Sequence, residues 1–487
     1  MKLRHLVELL GCKEVAASDL DITAVTEDSR RVVLGGVFVA APGARSDGHD
    51  YAARAVEAGA IAVIGDRAGV TELDGVPYFC VEYPRKALGI LAHALAGNPS
   101  RAMTVIGITG TNGKSSSVIL TQRVFVVCGF AAAAFGTLGY DIGGTVIPAP
   151  HTTPFGEDLA AMFRRAKEAG QTHVVMEVSS HSLEQERVAG IDFDVAAFTN
   201  LTQDHLDYHP DMDAYRQAKL KLFERVEGAG RFTVVNKDDP SAEWFIRASK
   251  APCHTYGHEG DCRARAIRTD IGRTTFVAKT PWGRCDIVMR LLGHHNVSNA
   301  LGVIAICGGL GLPLDKIAEG IASLERVPGR FEHVDAGQDF QVIVDYAHTE
   351  DGLKNVLSAA REICAGRVIV VFGCGGDRDK TKRPKMAAVV ARLGDVRVIT
   401  SDNPRTEDPL AIIADVEAGM TAVGRVRDAD YRVIPDRRAA IEYAISEARP
   451  GDLVMIAGKG HEDYQIIGTE KIHFDDRETA REILKKI

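Results

Sequence analysis

The chain has 487 residues, 45% of them hydrophobic, enough apolar material for several cores and, by length, for about three domains. Its 58 Lys and Arg against 66 Asp and Glu give a net charge of −8, which argues against nucleic acid or an anionic membrane as a partner. Nine scattered cysteines form no C-x-x-C, no apolar run approaches the ~18 residues of a spanning helix, and Met1-Lys2-Leu3-Arg4-His5 opens a segment too short and polar for a signal peptide, so a cytoplasmic enzyme with reduced thiols and no membrane insertion is expected.

Residues 1–99 alternate short apolar strands (36–41, 60–64, 78–81) with Ala-rich helices (51–58, 85–95), and Asn98-Pro99-Ser100 reads as a linker. Residues 100–327 open with a buried strand, 105–109, a glycine-rich turn and a helical pattern, 115–127; further strands follow at 173–178, 195–200 and 232–236. Val327-Pro328-Gly329 marks a second boundary. Residues 328–487 resume the alternation, with strands at 340–345, 368–372, 396–400 and 452–457. Strands alternating with helices predict an α/β chain with mostly parallel sheets.

The chemistry-bearing residues fall at strand ends, where open α/β sheets bind ligands. Gly107 to Ser116 joins a strand to a helix, a turn that aims backbone N–H groups and the positive helix end at a phosphate. Lys114 would reach the β- and γ-phosphates of a nucleoside triphosphate, and the Ser115 hydroxyl would sit on Mg²⁺. The strict G-x-x-x-x-G-K-[ST] pattern fails by one place, since Ile108 stands where its first glycine belongs. Glu177 ends the 173–178 strand, and a carboxylate beside a phosphate loop suits Mg²⁺, which takes oxygen ligands. After the 195–200 strand, Asp204, His205, Asp207 and His209 crowd one loop; His205 suits a metal or phosphate contact, while Asp207 and His209 read as solvated. Taken alone, Lys219 and Lys221 read as a basic helix face. In the last third, Asp402-Asn403-Pro404-Arg405 follows a buried strand, and a guanidinium held by an Asn-Pro turn suits a carboxylate bidentately. Arg378, in the glycine-rich turn Gly373 to Lys380, and Glu462, after Gly458, also lie at strand ends. Such mixed charge suits a zwitterion.

The motifs G-T-N-G-K-S-S, M-E-V-S-S-H-S-L, F-T-N-L-T-Q-D-H-L-D-Y-H, G-H-H-N-V-S-N-A, V-P-G-R-F-E, V-D-Y-A-H-T, F-G-C-G-G-D-R-D-K-x-K-R-P and S-D-N-P-R run through the whole chain in the order found in the Mur ligases, which this sequence closely resembles. The D-N-P-R form resembles members that add meso-diaminopimelate, rather than lysine, to UDP-N-acetylmuramoyl-L-alanyl-D-glutamate at the expense of ATP, in peptidoglycan precursor synthesis. The resemblance implies three domains: 1–99 for the UDP end, 100–327 as a central P-loop domain with a mostly parallel sheet, and 328–487 as a Rossmann-like amino-acid domain. It implies Gly110, Thr111, Asn112, Gly113, Lys114, Ser115 and Ser116 as the ATP loop, with Asn296, Asn299, Arg330 and Asp345 as further nucleotide contacts. Mg²⁺ would be held by Ser115 and Glu177, and at a second site by His205 and Lys219, the lysine as a carbamate. Ser29 and the turn Ala44-Arg45-Ser46 match UDP contacts; Thr152, Thr153, Ser179, Gln185 and Arg187 match contacts to the muramoyl dipeptide. Arg378, Asp402, Asn403, Pro404, Arg405, Gly458 and Glu462 match the diaminopimelate pocket. His151 departs from the Asn or Leu of many relatives. The expected partners are these small molecules alone, acting on a monomer.

Such a ligase needs no protein nucleophile. The D-glutamyl carboxylate takes the γ-phosphoryl group of ATP, and the incoming amine then displaces phosphate from the acyl phosphate. Rival expectations are a ligase of the same family adding L-lysine, a folylpolyglutamate synthetase-like ligase, and an ATP-binding switch without ligase activity.

Overall fold

The computed structural model describes residues 1–12, 19–43, 46–270 and 272–486. A five-stranded sheet near the N-terminus runs in the order Ala24–Thr26, Gly36–Val39, Ala60–Gly65, Val76–Cys80, Glu72–Leu73, parallel except for the last pair. The largest sheet has eight strands: Cys253–Tyr256, Phe232–Asn236, Val195–Phe198, Thr104–Thr109, His173–Glu177, Ala132–Gly136, Gly139–Ile142 and Thr145–Ile147. Its first six strands are parallel and the last two antiparallel. A six-stranded sheet follows in the order Glu332–His333, Gln341–Asp345, Leu453–Ala457, Val368–Phe372, Val396–Ile399, Arg432–Val433, parallel except for its first strand.

Helices cover both faces of these sheets, which is why central strands such as Val368-Ile369-Val370-Val371-Phe372 are apolar at every position and buried throughout. In the eight-stranded sheet, Thr104–Thr109 lies between His173–Glu177 and Val195–Phe198 with all carboxyl ends on one side. The phosphate loop, Glu177 and the Thr199-Asn200 segment therefore open into one crevice.

Three features depart from the sequence expectation. Residues 263–289 form a separate antiparallel sheet, Arg263–Asp270, Arg273–Thr280 and Gly283–Met289, whose middle strand alternates exposed and buried residues because only one face meets the core. Asn98-Pro99-Ser100 is packed rather than open: Pro99–Ala102 is a 3₁₀ turn with Pro99 and Ser100 buried, and Ser100 Oγ accepts from Asp192 N at 3.2 Å. His209, expected in solvent, is 3% exposed, because its Nε2 meets Ser180 Oγ at 3.0 Å and its ring packs on Tyr215. All nine cysteines are free, and among the described residues no helix is long and apolar enough to cross a membrane.

Helix Pro84–Leu95 packs on helix Gly156–Glu168 where Gly89 and Gly156 let the backbones approach; a Cβ on Gly156 would lie 3.1 Å from Gly89 Cα. At this junction His93 is fully buried, 5.7 Å from the Phe163 ring, and among the described residues neither ring nitrogen has a hydrogen-bond partner. Burial pushes its imidazole from 6.5 down to about 4. The unfolded chain therefore binds a proton near pH 6.5 that the folded chain refuses until about pH 4, so this contribution is complete above 6.5 and fades as pH falls toward 4. Those roughly 2.5 pH units correspond to about 3 kcal/mol. His93→Leu is expected to flatten the acid side of the stability curve, seen as a smaller drop in urea midpoint between pH 7 and pH 4.5; parallel curves for the two proteins would count against it.

Candidate active site

The phosphate loop needs its glycines for space as well as for backbone angle. Gly110 has φ +148° and a Cβ there would lie 1.9 Å from Thr199 Oγ1; Gly113 has φ +85° and its Cβ would lie 2.4 Å from Asn299 Oδ1. Backbone donors lace the loop to the neighbouring strand end: Thr111 N donates to Asn200 O at 2.8 Å and Asn112 N to Asn200 Oδ1 at 2.9 Å. Gly113 caps helix Lys114–Val127, in which Ser115 and Ser116 are buried at the first turn. Lys114 Nζ donates to the carbonyls of Gly110 at 2.9 Å and Thr111 at 2.8 Å, so the ammonium folds back over its own loop; burial lowers its pKa. Asn299 Nδ2 donates to Asn296 Oδ1 at 3.0 Å, and Asn296 Nδ2 to Leu292 O at 2.9 Å, which backs the loop from helix His294–Gly309. Arg330 reaches in from beyond the second boundary and its Nη2 donates to Ser115 Oγ at 3.3 Å. The Asp345 carboxylate is occupied by backbone, accepting from Phe331 N and Ala347 N at 2.7 Å each, which holds the Arg330 segment in place.

Ser115 and Glu177 line one small cavity with Gly136 and Leu138, and a Cβ on Gly136 would lie 2.3 Å from Glu177 Oε1. A hydroxyl and a carboxylate facing one space beside a phosphate loop are the oxygen donors Mg²⁺ takes, so the residues fit that ion. Glu177 is oriented by Thr137, whose N donates to Oε1 at 2.9 Å. Lys219 is 1% exposed; its Nζ donates to Gly110 O at 2.9 Å and lies 4.5 Å from the Tyr215 ring centre. Burial, with Lys114 nearby, drives its pKa well below the ordinary 10.5. His205 lies 5.9 Å from the same Tyr215 ring, with φ +58° and its Nε2 3.7 Å from Asp204 Oδ2, and burial takes its imidazole down to about 3. Among the described residues no three His, Cys, Asp or Glu side chains converge as a metal cluster.

Beside Glu177, Thr153 Oγ1 donates to Glu177 O at 2.9 Å and accepts from Ser179 N at 3.2 Å, while Thr137 Oγ1 donates to Thr152 Oγ1 at 3.1 Å. Arg187 joins them through Thr153 O at 3.0 Å and grips Gln185 Oε1 with Nε at 2.9 Å and Nη2 at 2.6 Å. Thr152, Thr153, Ser179, Gln185 and Arg187 thus form one polar wall. His151 contributes its carbonyl, which accepts from Tyr140 Oη. Ser29 is buried and Ser46 exposed in the N-terminal segment; Ala44 and Arg45 lie outside the described residues.

At the ends of the six-stranded sheet, Asn403 Nδ2 donates to Glu462 Oε2 at 2.9 Å, and its Oδ1 accepts from Ile466 N at 3.0 Å and Lys459 Nζ at 3.2 Å. Gly458 has φ +119°, and a Cβ there would lie 2.6 Å from Asp402 Oδ2. Although burial opposes its charge, Lys459 and Arg437 hold the Asp402 carboxyl below its usual range. Arg405, at φ +52°, donates from Nη1 to Gly376 O at 2.8 Å; its Nε and Nη2 have no partner among the described residues. Pro404 O packs where a Cβ on Gly376 would fall. Arg378 is exposed and bonds its neighbour's carbonyl, Asp377 O at 2.8 Å; a Cβ on Gly375 would meet Arg405 Nη1 at 3.0 Å and Arg378 Cγ at 4.0 Å, and among the described residues Arg378 has no hydrogen bond or ion pair with Asp402 or Glu462.

The Mur ligase middle domain model matches residues 108–307, the Mur ligase glutamate ligase domain model residues 329–460, and the Mur ligase family catalytic domain model residues 21–95. A relative from Geobacillus thermodenitrificans, UDP-N-acetylmuramoyl-L-alanyl-D-glutamate--2,6-diaminopimelate ligase, is 46% identical over 494 residues, covering 100% of both chains. The chain belongs to the Mur ligase family. A solved structure of a ligase bearing that same name matches with TM-score 0.70 at 30% identity over 100% of this chain and 99% of its own. Folylpolyglutamate synthase of Mycobacterium tuberculosis, complexed with ADP and AMPPCP, matches with TM-score 0.63 at 20% identity over 77% of this chain and 92% of its own, a likeness of fold alone.

In this Mur ligase the two larger sheets meet through contacts that sequence reasoning missed. Lys382 Nζ donates to Asp204 Oδ1 at 3.0 Å with both side chains 7% exposed, His348 Nε2 lies 3.5 Å from Asp204 Oδ2, and Asn112 Nδ2 donates to Asp351 Oδ2 at 2.8 Å. Lys459, between the expected pocket residues Gly458 and Glu462 in sequence, is fully buried between Asn403 and Glu462. Arg437, paired with Asp476 at 2.7 Å and also donating to Ala457 O and Ser401 O, ties together the two strand ends that lead into Gly458 and Asp402. Lys382 lies in the polar run Lys380 to Lys385 and Arg437 beside Arg438, so neither stands out from its neighbours in the sequence.

Proposed function

We propose that this Mur ligase joins meso-diaminopimelate to UDP-N-acetylmuramoyl-L-alanyl-D-glutamate, converting ATP to ADP and phosphate in the cytoplasm as a step in peptidoglycan precursor synthesis. The observation that carries this is that the sheet bearing the phosphate loop and the sheet bearing the Asp402-to-Arg405 turn are joined through Asn112–Asp351 and Asp204–Lys382. Residues 1–99 serve the UDP end through Ser29 and the Ala44-Arg45-Ser46 turn, 100–327 the ATP and dipeptide ends, and 328–487 the amino acid.

A glutamyl carboxylate oxygen attacks the γ-phosphorus, ADP leaves, and the amine attacks the resulting acyl carbon; phosphate leaves and the nitrogen loses its proton. Lys114 turns from its loop carbonyls to the transferring phosphoryl group, and Asn296, Asn299, Arg330 and Asp345 form the nucleotide side. Thr152, Thr153, Ser179, Gln185 and Arg187 orient the dipeptide. Ser115 and Glu177 would hold one Mg²⁺, and His205 with a carbamylated Lys219 a second; bound there, the ions would supply neutralisation of phosphate charge. Closure of residues 328–487 on the central sheet would exclude water from the acyl phosphate.

Asp402 and Glu462 meet the ammonium end of the amino acid, while Arg378 and the free edge of Arg405 meet a carboxylate. Diaminopimelate differs from lysine by a distal carboxylate, and removing one partner of such a buried pair costs on the order of 2–5 kcal/mol. ADP release with the UDP-muramoyl dipeptide should depend on meso-diaminopimelate, far exceeding that with L-lysine or no amino acid. Arg405→Ala should raise the diaminopimelate KM at least ~30-fold with the ATP KM nearly unchanged. Unaltered preference over lysine in that variant would mean the pocket lies elsewhere.

A further inference from the structure

Two loops that face different substrates touch at a pair of glycines. A Cβ on Gly329 would lie 2.0 Å from His461 N, and one on Gly460 would lie 2.6 Å from both Gly329 O and Tyr346 Cβ. Tyr346 N donates to Gly329 O at 2.9 Å, which locks the tyrosine between them. Its ring then reaches both ways. The Arg330 guanidinium sits 4.6 Å from the ring centre and continues to Ser115 Oγ at 3.3 Å. The Tyr346 hydroxyl donates to Glu462 Oε1 at 3.4 Å, and Glu462 Oε2 in turn accepts from Asn403.

A tyrosine filling a gap would need neither contact. Here the backbones are too close to slide independently, and the side chain bridging them ends on one group from each site. We propose that Tyr346 is a positioning residue that couples the nucleotide site to the amino-acid pocket. Occupancy of the phosphate loop sets Arg330, and through the ring and hydroxyl of Tyr346 it sets the Glu462 carboxylate against Asn403. This rests on the assignment above of Arg330 to the nucleotide and Glu462 to the amino acid. Coupling of this kind is reciprocal: each ligand tightens the other by the same factor.

Calorimetric titrations of ADP, alone and with saturating meso-diaminopimelate, and of meso-diaminopimelate with and without ADP, test it on the full chain. The wild type is expected to show mutual tightening of at least about fivefold, equal in both directions. Tyr346→Phe keeps the ring under Arg330 and loses only the hydroxyl, so ADP affinity alone and thermal midpoint should stay near wild type while the mutual factor falls below about twofold. A wild type without mutual tightening, or a Tyr346→Phe variant that retains it, overturns the coupling. A wild type that binds ADP but no meso-diaminopimelate overturns the pocket assignment itself and the coupling with it.

Discussion

Lys114→Ala is expected to lower turnover by about 100- to 1000-fold while leaving the fold intact, because an electrostatic donor aimed at developing phosphoryl charge contributes about 3–4 kcal/mol. The two hydrogen bonds that Lys114 makes here, to Gly110 O and Thr111 O, are with carbonyls of its own loop. The Gly110 carbonyl keeps a second donor, Lys219, when Lys114 is removed, and the loop remains laced to Asn200 through Thr111 N and Asn112 N. Circular dichroism and the thermal midpoint should therefore match wild type. Steady-state ADP release checks the rate; a folded variant with near wild-type turnover would remove Lys114 from the mechanism, and an unfolded one would show that the ammonium holds the loop together.

Lys219→Ala should cost at least ~100-fold in activity, with part of it restored by formate or another small carboxylate. Two lysines donate to one carbonyl, Gly110 O, each at 2.9 Å, in a site where Lys219 is 1% exposed. Two ammonium groups so placed repel, and burial penalises both charges, so Lys219 is the one pushed furthest toward the neutral amine. A neutral amine attacks CO₂ at carbon and, on losing a proton, becomes a carbamate. That exchange turns a buried cation into an anion with two oxygens, which meets the positive charge of Lys114 and supplies the oxygens Mg²⁺ requires. Protein prepared in ¹³C-bicarbonate should show a carbamate carbon resonance that Lys219→Arg lacks. Full activity of the alanine variant without formate, or no such resonance in active protein, would end the proposal.

Much of the architecture was legible because it is written locally. Strand 368–372 was read at its full extent and 105–109 within one residue, since a strand covered on both faces is apolar at each position. Residues 263–289 were not anticipated: their alternation is interrupted by a register shift between Arg265 and Arg268, which blurs the period-two signal. Of the site, the motif residues were found because glycine turns and strand ends have short-range signatures. His209 was misplaced in solvent because its burial depends on Ser180 and Tyr215, which other segments supply.

By itself the sequence determined the α/β class, the phosphate loop and the family, since periodicity, turn chemistry and motif order depend only on neighbours along the chain. The tertiary structure alone decided what those residues face. It folds Lys114 onto its own carbonyls, buries Lys459 between Asn403 and Glu462, pairs Lys382 with Asp204, and sets Tyr346 between two glycines 131 residues apart in number, Gly329 and Gly460. Apart from the fold-back of Lys114, each of these joins groups far apart along the chain that only packing brings within contact. Burial, which moves the Lys219 amine toward neutrality, is a property of the packed molecule and of no segment within it.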